Sequence, residues 1–466
     1  MLLIISLLFM SSVVVSKEEC YWNRQCKYQL FSTTTPYDII RGDIRDQPNP
    51  NGCKVVSLWS IHRHGNRHPG SRVVKDTNEL WVKLRDQIIR SEAESRNSLC
   101  SQDLEDILNW KWDSSLETTP SYLTQVGNDE IYSIGKRVAK KYSELMHERI
   151  DRYYFRGTNE QRTKASVLAY VNGLTHGSDM NLTSRIEESK ERDDTIRPYE
   201  NCDRYQESVK NGSLLPDQLA EYGQSPEYLA VRDRVFERLG ITNDTEEINV
   251  FNLYELCRFY RTWSPNLQCP WCSLFSDEDL VVLEYRDDVR HYYKNGYGFD
   301  INADLGTLPL RDLFENFELA TRGEGKNIVS YFTHDTMMEM MFCALGLYKD
   351  KSVIKGSSRN PDRLWRASYI ASFSTNFIAV LHRCDSDTHR VQLFINEKPT
   401  SLCPVEGCSW SEFVETFQRF SNSSLAFCTN RRSVVDEDSN NLSNIITVSK
   451  FLTSLLMLLP LVLSAN

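Results

Sequence analysis

The stretch VVSLWSIHRHGNRHPGSR, residues 55–72, decides the fold class of this chain. Its first part, VVSLWSI, is apolar or small and partly β-branched, a pattern that predicts a buried strand. Three histidines and three arginines follow that strand directly. Strands of α/β proteins open at their carboxyl ends onto the ligand crevice. The stretch therefore predicts an α/β protein with a basic ligand site immediately behind this strand.

Strand and helix patterns alternate along the rest of the chain. Residues 327–332 predict a second buried strand, which ends at the letters THD and precedes an apolar helix over 337–347. Residues 377–383 and 391–396 predict an antiparallel hairpin. The other predicted elements are a charged helical region over 78–108, an amphipathic helix over 131–145, a strand at 153–155 and a helix that ends near Gly173 or Gly177.

Residues 180–300 differ in character from their flanks. They are rich in charge, and many of their windows show helical periodicity. We therefore predict an inserted, mostly helical domain over 180–300. The α/β core, a sheet flanked by helices, would then be discontinuous over 17–179 and 301–430, with a helical excursion at 74–118.

The overall charge of the chain argues against some kinds of binding partner. The 466 residues carry a formal net charge of −10, whereas a general nucleic-acid binder needs a broad basic face. We therefore predict no nucleic-acid partner. A local basic pocket for a small anionic ligand remains compatible with this composition.

Both ends of the chain resemble processing signals. Residues 1–16 are apolar and end in small residues, which predicts a secretory signal peptide. Residues 431–466 run from acidic to small and polar to apolar, which predicts a spacer and a GPI-attachment signal with its ω site in 439–443. A single-pass anchor is the alternative. Five N-x-S/T sequons fit a glycoprotein at the cell surface: Asn181, Asn211, Asn243, Asn422 and Asn441.

The thirteen cysteines point to an oxidising compartment, where most of them should be paired. The letters CPWC at 269–272 have no second cysteine or histidine pair nearby, so disulfide bonding is favoured over zinc. An odd number leaves at least one thiol unpaired. Cys343, within an apolar run, is the candidate for a buried free thiol.

The basic stretch offers the parts of a phosphate site. Arg63 and Arg67 carry planar guanidiniums that match phosphate oxygens. His64 lies between these two cations, and like charge lowers the pKa of an imidazole. A neutral imidazole among phosphate-binding arginines can act as a nucleophile toward phosphorus. The alternative, a basic surface loop, is disfavoured by the spacing R-H-G-x-R-x-P directly after an apolar strand.

Two further segments extend this set. Arg162 lies at the start of a predicted helix, where a phosphate gains from the guanidinium and from helix-start amides. His334 and Asp335 follow the second buried strand; the imidazole can donate to a phosphoryl oxygen, and the carboxyl can protonate a leaving alkoxide. A solvated arginine and a helix-capping aspartate are the simpler alternatives, and the capping role is compatible with catalysis.

The motifs RHGNRHP, FRGTNEQRTKAS and THD resemble the histidine acid phosphatase superfamily. Segments such as NCDRYQESVKN, LGLYKDK and VQLFINEK are most similar to the multiple inositol polyphosphate phosphatase family, over roughly residues 37–398. The resemblance implies that His64 is the nucleophile and Asp335 the proton donor. The residues that it implies for binding the phosphoryl group are Arg63, Arg67, Arg162 and His334.

The resemblance also implies two disulfides, Cys53–Cys384 and Cys257–Cys272. The chain differs from many family members in two places. The residues His-Asp-Thr stand at 334–336 where those members have His-Ala-Glu, and an apolar tail stands where they have an endoplasmic-reticulum retrieval tetrapeptide. The second difference moves the predicted location to the cell surface, with a lipid anchor in the membrane.

The resemblance leads to three functional hypotheses. The first is hydrolysis of inositol polyphosphates, including phytate, through phosphohistidine, without a metal or a cofactor and with an acidic pH optimum. The second is a broad acid phosphatase or a 2,3-bisphosphoglycerate phosphatase. The third is a surface binding protein that has lost catalysis, which the complete residue set disfavours. Extra cations for polyphosphates are predicted at Arg72, Lys75, Arg156 and Lys164.

Overall fold

The computed structural model describes residues 20–21, 28–147, 149–241, 248–263, 269–385 and 387–429. The predicted signal peptide and the predicted GPI signal lie outside these ranges, as do the sequons at Asn243 and Asn441. Among the described residues, no helix combines the length and the apolar character that crossing a membrane requires.

A seven-stranded mixed sheet forms the centre of the molecule. The strands are β1 Cys53–Arg63, β2 Tyr153–Gly157, β3 Ile328–Thr333, β4 Asn376–Cys384, β5 His389–Ile395, β6 Lys398–Pro399 and β7 Cys408–Ser409. Their spatial order is β2-β3-β1-β4-β5-β6, with β7 paired to β5. The strands β2, β3 and β1 are parallel, and β4 and β5 form the predicted antiparallel hairpin. The strand predictions are therefore confirmed.

Helices cover both faces of the sheet. They are α1 Tyr37–Ile40, α2 Ser71–Ala93, α3 Ser101–Asn109, α4 Ser115–Thr118, α5 Gln125–Lys141, α6 Gln161–Leu174, α7 Asp203–Tyr205, α8 Leu214–Gly223, α9 Pro226–Leu239, α10 Val250–Trp263, α11 Asp277–Asn295, α12 Asp300–Thr321, α13 Asp335–Ala344, α14 Ala367–Ile370 and α15 Trp410–Phe417. The helical region predicted over 78–108 is divided between α2 and α3. The helix predicted over 131–145 ends at Lys141, because the chain turns there into a short 3-10 segment.

The alternation of side chains along β1 separates two hydrophobic cores. Leu58 points into the core that β1 forms with α5 and α6, where Ile134 and Val167 are fully buried. Trp59 points into the opposite core, which contains Leu313 of α12 and continues toward the helices of the insertion. Successive residues of a strand face opposite sides of the sheet, so an apolar strand can serve both cores. This arrangement confirms an α/β fold.

The region between 180 and 300 is helical, as predicted. Its described part contains α7 to α11, and its only β pairing is an isolated bridge at Ile186. These helices belong to the same hydrophobic cluster as Trp59 of the sheet and Leu84 of α2. The boundaries of a separate domain at 180 and 300 stay a prediction, since apolar packing continues across them.

The described chain contains five disulfides: Cys20–Cys100, Cys53–Cys384, Cys202–Cys428, Cys257–Cys272 and Cys403–Cys408. The first three join distant parts of the sequence, and the last two close short loops. The two predicted pairs are among them. Cys343 carries a buried free thiol in α13, as predicted. A protein with this many disulfides is typical of the oxidising secretory pathway.

Candidate active site

The register of the sheet brings two histidines together. In the parallel pairing of β1 with β3, Arg63 lies opposite Thr333, so His64 and His334 leave neighbouring strands side by side. The centroids of the two imidazole rings are 5.6 Å apart. Because parallel strands end at one edge of the sheet, both rings reach the same crevice.

His64 is buried and has a defined tautomer. Its Nδ1 lies 2.9 Å from the carbonyl oxygen of Gly65. A carbonyl can only accept a hydrogen bond, so Nδ1 carries the hydrogen and Nε2 keeps its lone pair. Burial, reinforced by the charges of Arg63 and Arg162, lowers the pKa of His64 well below its usual value. The ring is therefore neutral, with an unprotonated Nε2 available to a substrate.

Arg63 is buried behind His64 and packs over the ring of Phe373, with 4.6 Å between its guanidinium carbon and the ring centroid. Its Nη1 donates to the carbonyl oxygens of Thr33 and Ala371, the latter at 2.7 Å. Its Nη2 lies 3.4 Å from Oδ2 of Asp335. The main chain thus orients one side of the guanidinium and leaves the other toward the crevice.

Arg67 and Arg162 contribute the two other guanidiniums. Arg67 donates from Nη1 to the carbonyl oxygen of His68 at 2.8 Å, and burial lowers its pKa to about 9. Arg162, in the first turn of α6, lies 3.3 Å from Glu160. The Nε atoms of both arginines are buried and have no hydrogen-bond partner. Both arginines line the same cavity, and guanidiniums with unused donors are suited to an anionic ligand.

His334 is oriented by a residue that the sequence did not indicate. Arg162 Nη2 lies 3.4 Å from His334 Nδ1, and Thr158 Oγ1 lies 3.0 Å from His334 Nε2. Because the guanidinium can only donate, Nδ1 is the acceptor and Nε2–H donates to Thr158. Thr158 is itself held by Thr163 Oγ1 at 3.0 Å. No local pattern distinguishes this threonine from others in the chain.

Asp335 begins α13 and faces Arg63. Its Oδ1 accepts a hydrogen bond from the Thr336 backbone N–H at 2.8 Å. The predicted helix-capping role of Asp335 is wrong, because His334 occupies the N-cap position of α13 and Asp335 is the first helical residue. Burial alone would favour the protonated carboxyl. The positive charges of Arg63, His291 and Lys294 outweigh burial and hold the pKa of Asp335 well below its usual value. Without a ligand, the group is a carboxylate.

An open cavity of about 190 Å³ lies in front of these residues. His64, Arg67, Arg162, His334 and Asp335 all line it, so the structure brings these predicted site residues together, with Arg63 directly behind. The cavity wall also contains three cations and an acid from the helical region, which sequence reasoning missed: Arg197, Lys210, Lys294 and Glu200.

The four extra cations predicted for a polyphosphate were wrong. The residues Arg72, Lys75, Arg156 and Lys164 do not line the cavity. Arg156 is buried and forms an ion pair of 3.1 Å with Asp193. Arg72 is almost fully exposed on α2, and Lys164 donates to the side chain of Asn159 at 2.6 Å. Closeness in sequence to the predicted site residues therefore did not place these side chains on the cavity wall.

The described residues contain one group of side chains close enough to share a metal ion, namely Cys20, Cys100 and Asp103. Cys20 and Cys100 are joined in a disulfide, so neither is a thiolate ligand. Asp103 accepts a hydrogen bond from the Tyr21 backbone at 2.7 Å. This group is separate from the crevice and fits a structural role.

A neutral imidazole surrounded by arginines at the carboxyl edge of an α/β sheet defines a phosphate-ester-binding class of protein. The chain belongs to the histidine phosphatase superfamily (branch 2), whose sequence profile matches residues 54–396. It is 32% identical over 440 residues to multiple inositol polyphosphate phosphatase 1 of Drosophila melanogaster, which covers 90% of this chain and 91% of the relative. The predicted family resemblance is therefore confirmed.

Solved structures agree on the fold. The phytase from D. castellii superimposes with a TM-score of 0.68 at 19% identity, over 85% of each chain. The multiple inositol polyphosphate phosphatase of Bifidobacterium longum, in complex with inositol hexasulfate, gives a TM-score of 0.63 at 14% identity. That match covers 81% of this chain and 94% of the bacterial one. The predicted fold class is thus confirmed.

Proposed function

We propose that this chain hydrolyses phosphomonoesters of inositol polyphosphates through a phosphohistidine intermediate. One observation carries the proposal: the hydrogen bond from His64 Nδ1 to the Gly65 carbonyl leaves an unprotonated Nε2 in a crevice lined by Arg67 and Arg162. A nucleophile with this tautomer can attack phosphorus without first losing a proton.

In the first step, His64 Nε2 forms a bond to phosphorus as the bond from phosphorus to the ester oxygen breaks. Arg63, Arg67 and Arg162 stabilise the charge on the equatorial oxygens. The departing oxygen takes a proton from Asp335, which becomes a carboxylate. For this step Asp335 must be protonated, and the negative charge of bound phosphate favours protonation by offsetting Arg63.

In the second step, water attacks phosphorus, the bond to His64 Nε2 breaks and inorganic phosphate leaves. The carboxylate of Asp335 accepts the proton of the attacking water, which restores the acid for the next cycle. His334 can donate to a phosphoryl oxygen from Nδ1 once its tautomer is reversed from that of the free site. The hydrogen then lies on Nδ1, and the Thr158 hydroxyl, now the donor, holds Nε2.

The charges on the cavity wall favour a substrate that carries several phosphates. Beyond the groups around His64, it presents Arg197, Lys210 and Lys294 to whatever occupies the crevice. A monophosphate that engages the arginines beside His64 leaves Arg197 and Lys210 without a phosphate, whereas an inositol ring can present further phosphates to them. The names of the relatives point to the same substrate class.

The proposal is tested by phosphate release from phytate and from p-nitrophenyl phosphate. We expect His64→Ala to lower both rates by a factor on the order of 10⁴ or more, because the nucleophile is lost. His176→Ala is the matched control, since this histidine contacts Tyr132 and does not line the cavity. Equal rates for wild type and His64→Ala would contradict the mechanism. Release from the aryl ester alone would favour a broad acid phosphatase.

We also infer that the protein matures in the secretory pathway as a glycoprotein. The five disulfides support this inference. So do the exposed sequon asparagines Asn181, Asn211 and Asn422. Attachment to the cell surface through a lipid anchor stays a prediction from residues 431–466. Release of the protein from intact cells by a phosphatidylinositol-specific phospholipase would test it.

A further inference from the structure

One wall of the cavity carries a row of alternating charges. Glu160 pairs with Arg162 on one side and with Arg197 on the other, each at 3.3 Å. Glu200 lies 3.8 Å from Arg197 and 3.6 Å from Lys210. Of the two acids, only Glu200 lines the cavity. The row therefore places one carboxylate between two cations that face the substrate.

The turn that carries Glu200 is firmly anchored. It spans Pro198–Asn201 and follows Ile196, whose carbonyl oxygen accepts a hydrogen bond of 2.6 Å from Thr333 Oγ1. Thr333 ends β3, so the turn is tied to the strand that leads into the site. The next residue, Cys202, is held by a disulfide. The backbone of the turn is therefore fixed relative to β3, and the ion pairs with Arg197 and Lys210 hold the Glu200 carboxylate at the cavity wall.

A carboxylate in this wall has a chemical consequence. Of the described residues that line the cavity, the acids are Asp335, which faces Arg63, and Glu200, which lies on the outer wall. A carboxylate repels a phosphate dianion and accepts a hydrogen bond from a hydroxyl group. Like charges placed together at a binding site weaken binding, which makes them effective in rejecting a ligand.

We propose that Glu200 determines which inositol phosphates the site prefers. Its carboxylate accepts a hydrogen bond from a free ring hydroxyl and disfavours a phosphate at the same ring position. Arg197 and Lys210 remain available to phosphates on either side of that hydroxyl. Partly phosphorylated rings are therefore preferred over the fully phosphorylated one. This inference rests on the proposed function and names the substrate class within it.

The test compares kcat and KM for inositol hexakisphosphate and inositol 1,4,5-trisphosphate in wild type and Glu200→Gln. We expect the ratio of kcat/KM, hexakisphosphate over trisphosphate, to rise roughly tenfold in the variant, equivalent to about 1.4 kcal/mol. The change should lie in KM, because a group remote from the reacting phosphorus affects ground and transition states alike. Glu207→Gln, exposed on the same segment and outside the cavity, is the matched control and should leave the ratio unchanged.

Two results would overturn the inference while leaving the proposed function intact. One is an unchanged ratio with normal turnover of both substrates. The other is an equal fall of kcat/KM for both, which would mean that Glu200 only holds Arg197 and Lys210 in place. A wild type that cleaves p-nitrophenyl phosphate but neither inositol phosphate would instead overturn the proposed function, and this inference with it.

Discussion

At the residue scale, the three histidines of the opening stretch have three different environments. His62 stacks on Phe332 with ring centroids 4.8 Å apart, and burial lowers its pKa to about 3. His68 lies within 3.2 Å of the Thr119 carbonyl oxygen. Only His64 presents a ring nitrogen to the cavity. Residue type alone left His62 and His68 without a role, and their contacts indicate that both are structural.

Asp335 shows how strongly a site can oppose the charge state that its chemistry needs. The proposed donor must be protonated, yet the surrounding positive charges hold the pKa of Asp335 well below its usual value. The groups that face it are Arg63, His64, His291, Lys294 and His334. A bound phosphate brings negative charge among these groups and raises the pKa of Asp335 in the complex.

This environment predicts the pH dependence. Asp335 loses its proton as pH rises, so we expect rates to fall from an acidic optimum as the pH increases. The fall in kcat/KM, which reports the free protein, should occur at lower pH than the fall in kcat, which reports the complex. Steady-state kinetics on phytate from pH 3 to 8 measure both. Rates that are flat between pH 4 and 8 would contradict the donor role.

Asp335→Asn should lower phytate turnover by roughly 10²–10⁴ and affect p-nitrophenyl phosphate less, because nitrophenolate leaves without a proton.

At the element scale, the start of α5 positions the loop that carries His64. A Cβ added to Gly65 would lie 2.3 Å from the carbonyl oxygen of Gly127, and one added to Gly127 would lie 2.1 Å from that of Asn66. Thr124 caps the helix and bonds to the Asn66 carbonyl oxygen at 3.1 Å. Both glycines are required here because two backbones touch without room for a side chain.

Gly127→Ala tests this contact, because helix propensity alone would raise the stability whereas a clash with the backbone would lower it. Replacing glycine by alanine inside a helix ordinarily stabilises by up to about 1 kcal/mol. Here the added methyl meets backbone, so we expect a loss of roughly 1–3 kcal/mol, seen as a lower Tm. We also expect kcat to fall by about 10- to 100-fold, because the loop beside His64 must move. Gln125→Ala, exposed on the same helix, is the control. A higher Tm with unchanged kcat would refute the contact's importance.

At the scale of the whole molecule, a buried carboxyl group links separate segments of the fold. Glu130 of α5 accepts hydrogen bonds from the Asn66 backbone at 3.2 Å and from Ser374 Oγ at 2.8 Å. It thereby connects the catalytic loop to the segment before β4. Burial raises the pKa of Glu130 from 4.5 to about 7, against the effect of these hydrogen bonds. The folded state therefore favours the neutral acid.

The stability of the fold should consequently depend on pH. A carboxyl whose pKa is higher in the folded state contributes stability below about pH 4.5, and this contribution is lost as pH rises through about 7. We expect Tm to fall between pH 5 and 8, with Glu130 accounting for at most about 3 kcal/mol. Glu130→Gln should reduce that fall, as measured by thermal melts at each pH. Glu79→Gln, exposed on α2, should not change it. If the Tm of Glu130→Gln fell with pH as steeply as that of the wild type, Glu130 would not be the origin of the pH dependence.

Much of the sheet and of the reacting centre could be predicted from sequence. The apolar runs of β1 and β3 bury both faces, so they stand out without alternation. His64 and His334 each follow such a run directly, and parallel strands place their following residues at one edge. The outer wall could not be predicted in this way. Glu200 and Lys294 lie far from either strand in sequence, and only the packing of the helical region brings them to the cavity.

The sequence by itself determined the α/β class and the phosphatase family, and it identified the side chains that meet at the crevice. These follow from local patterns, because a buried strand and the side chains behind it are contiguous in the chain. Only the tertiary structure decided which remote charges reach the crevice, that Arg156 is buried against Asp193 instead, and that Asp335 is a carboxylate before substrate binds. Electrostatic effects depend on distance through space and on burial, and neither is encoded by closeness along the chain.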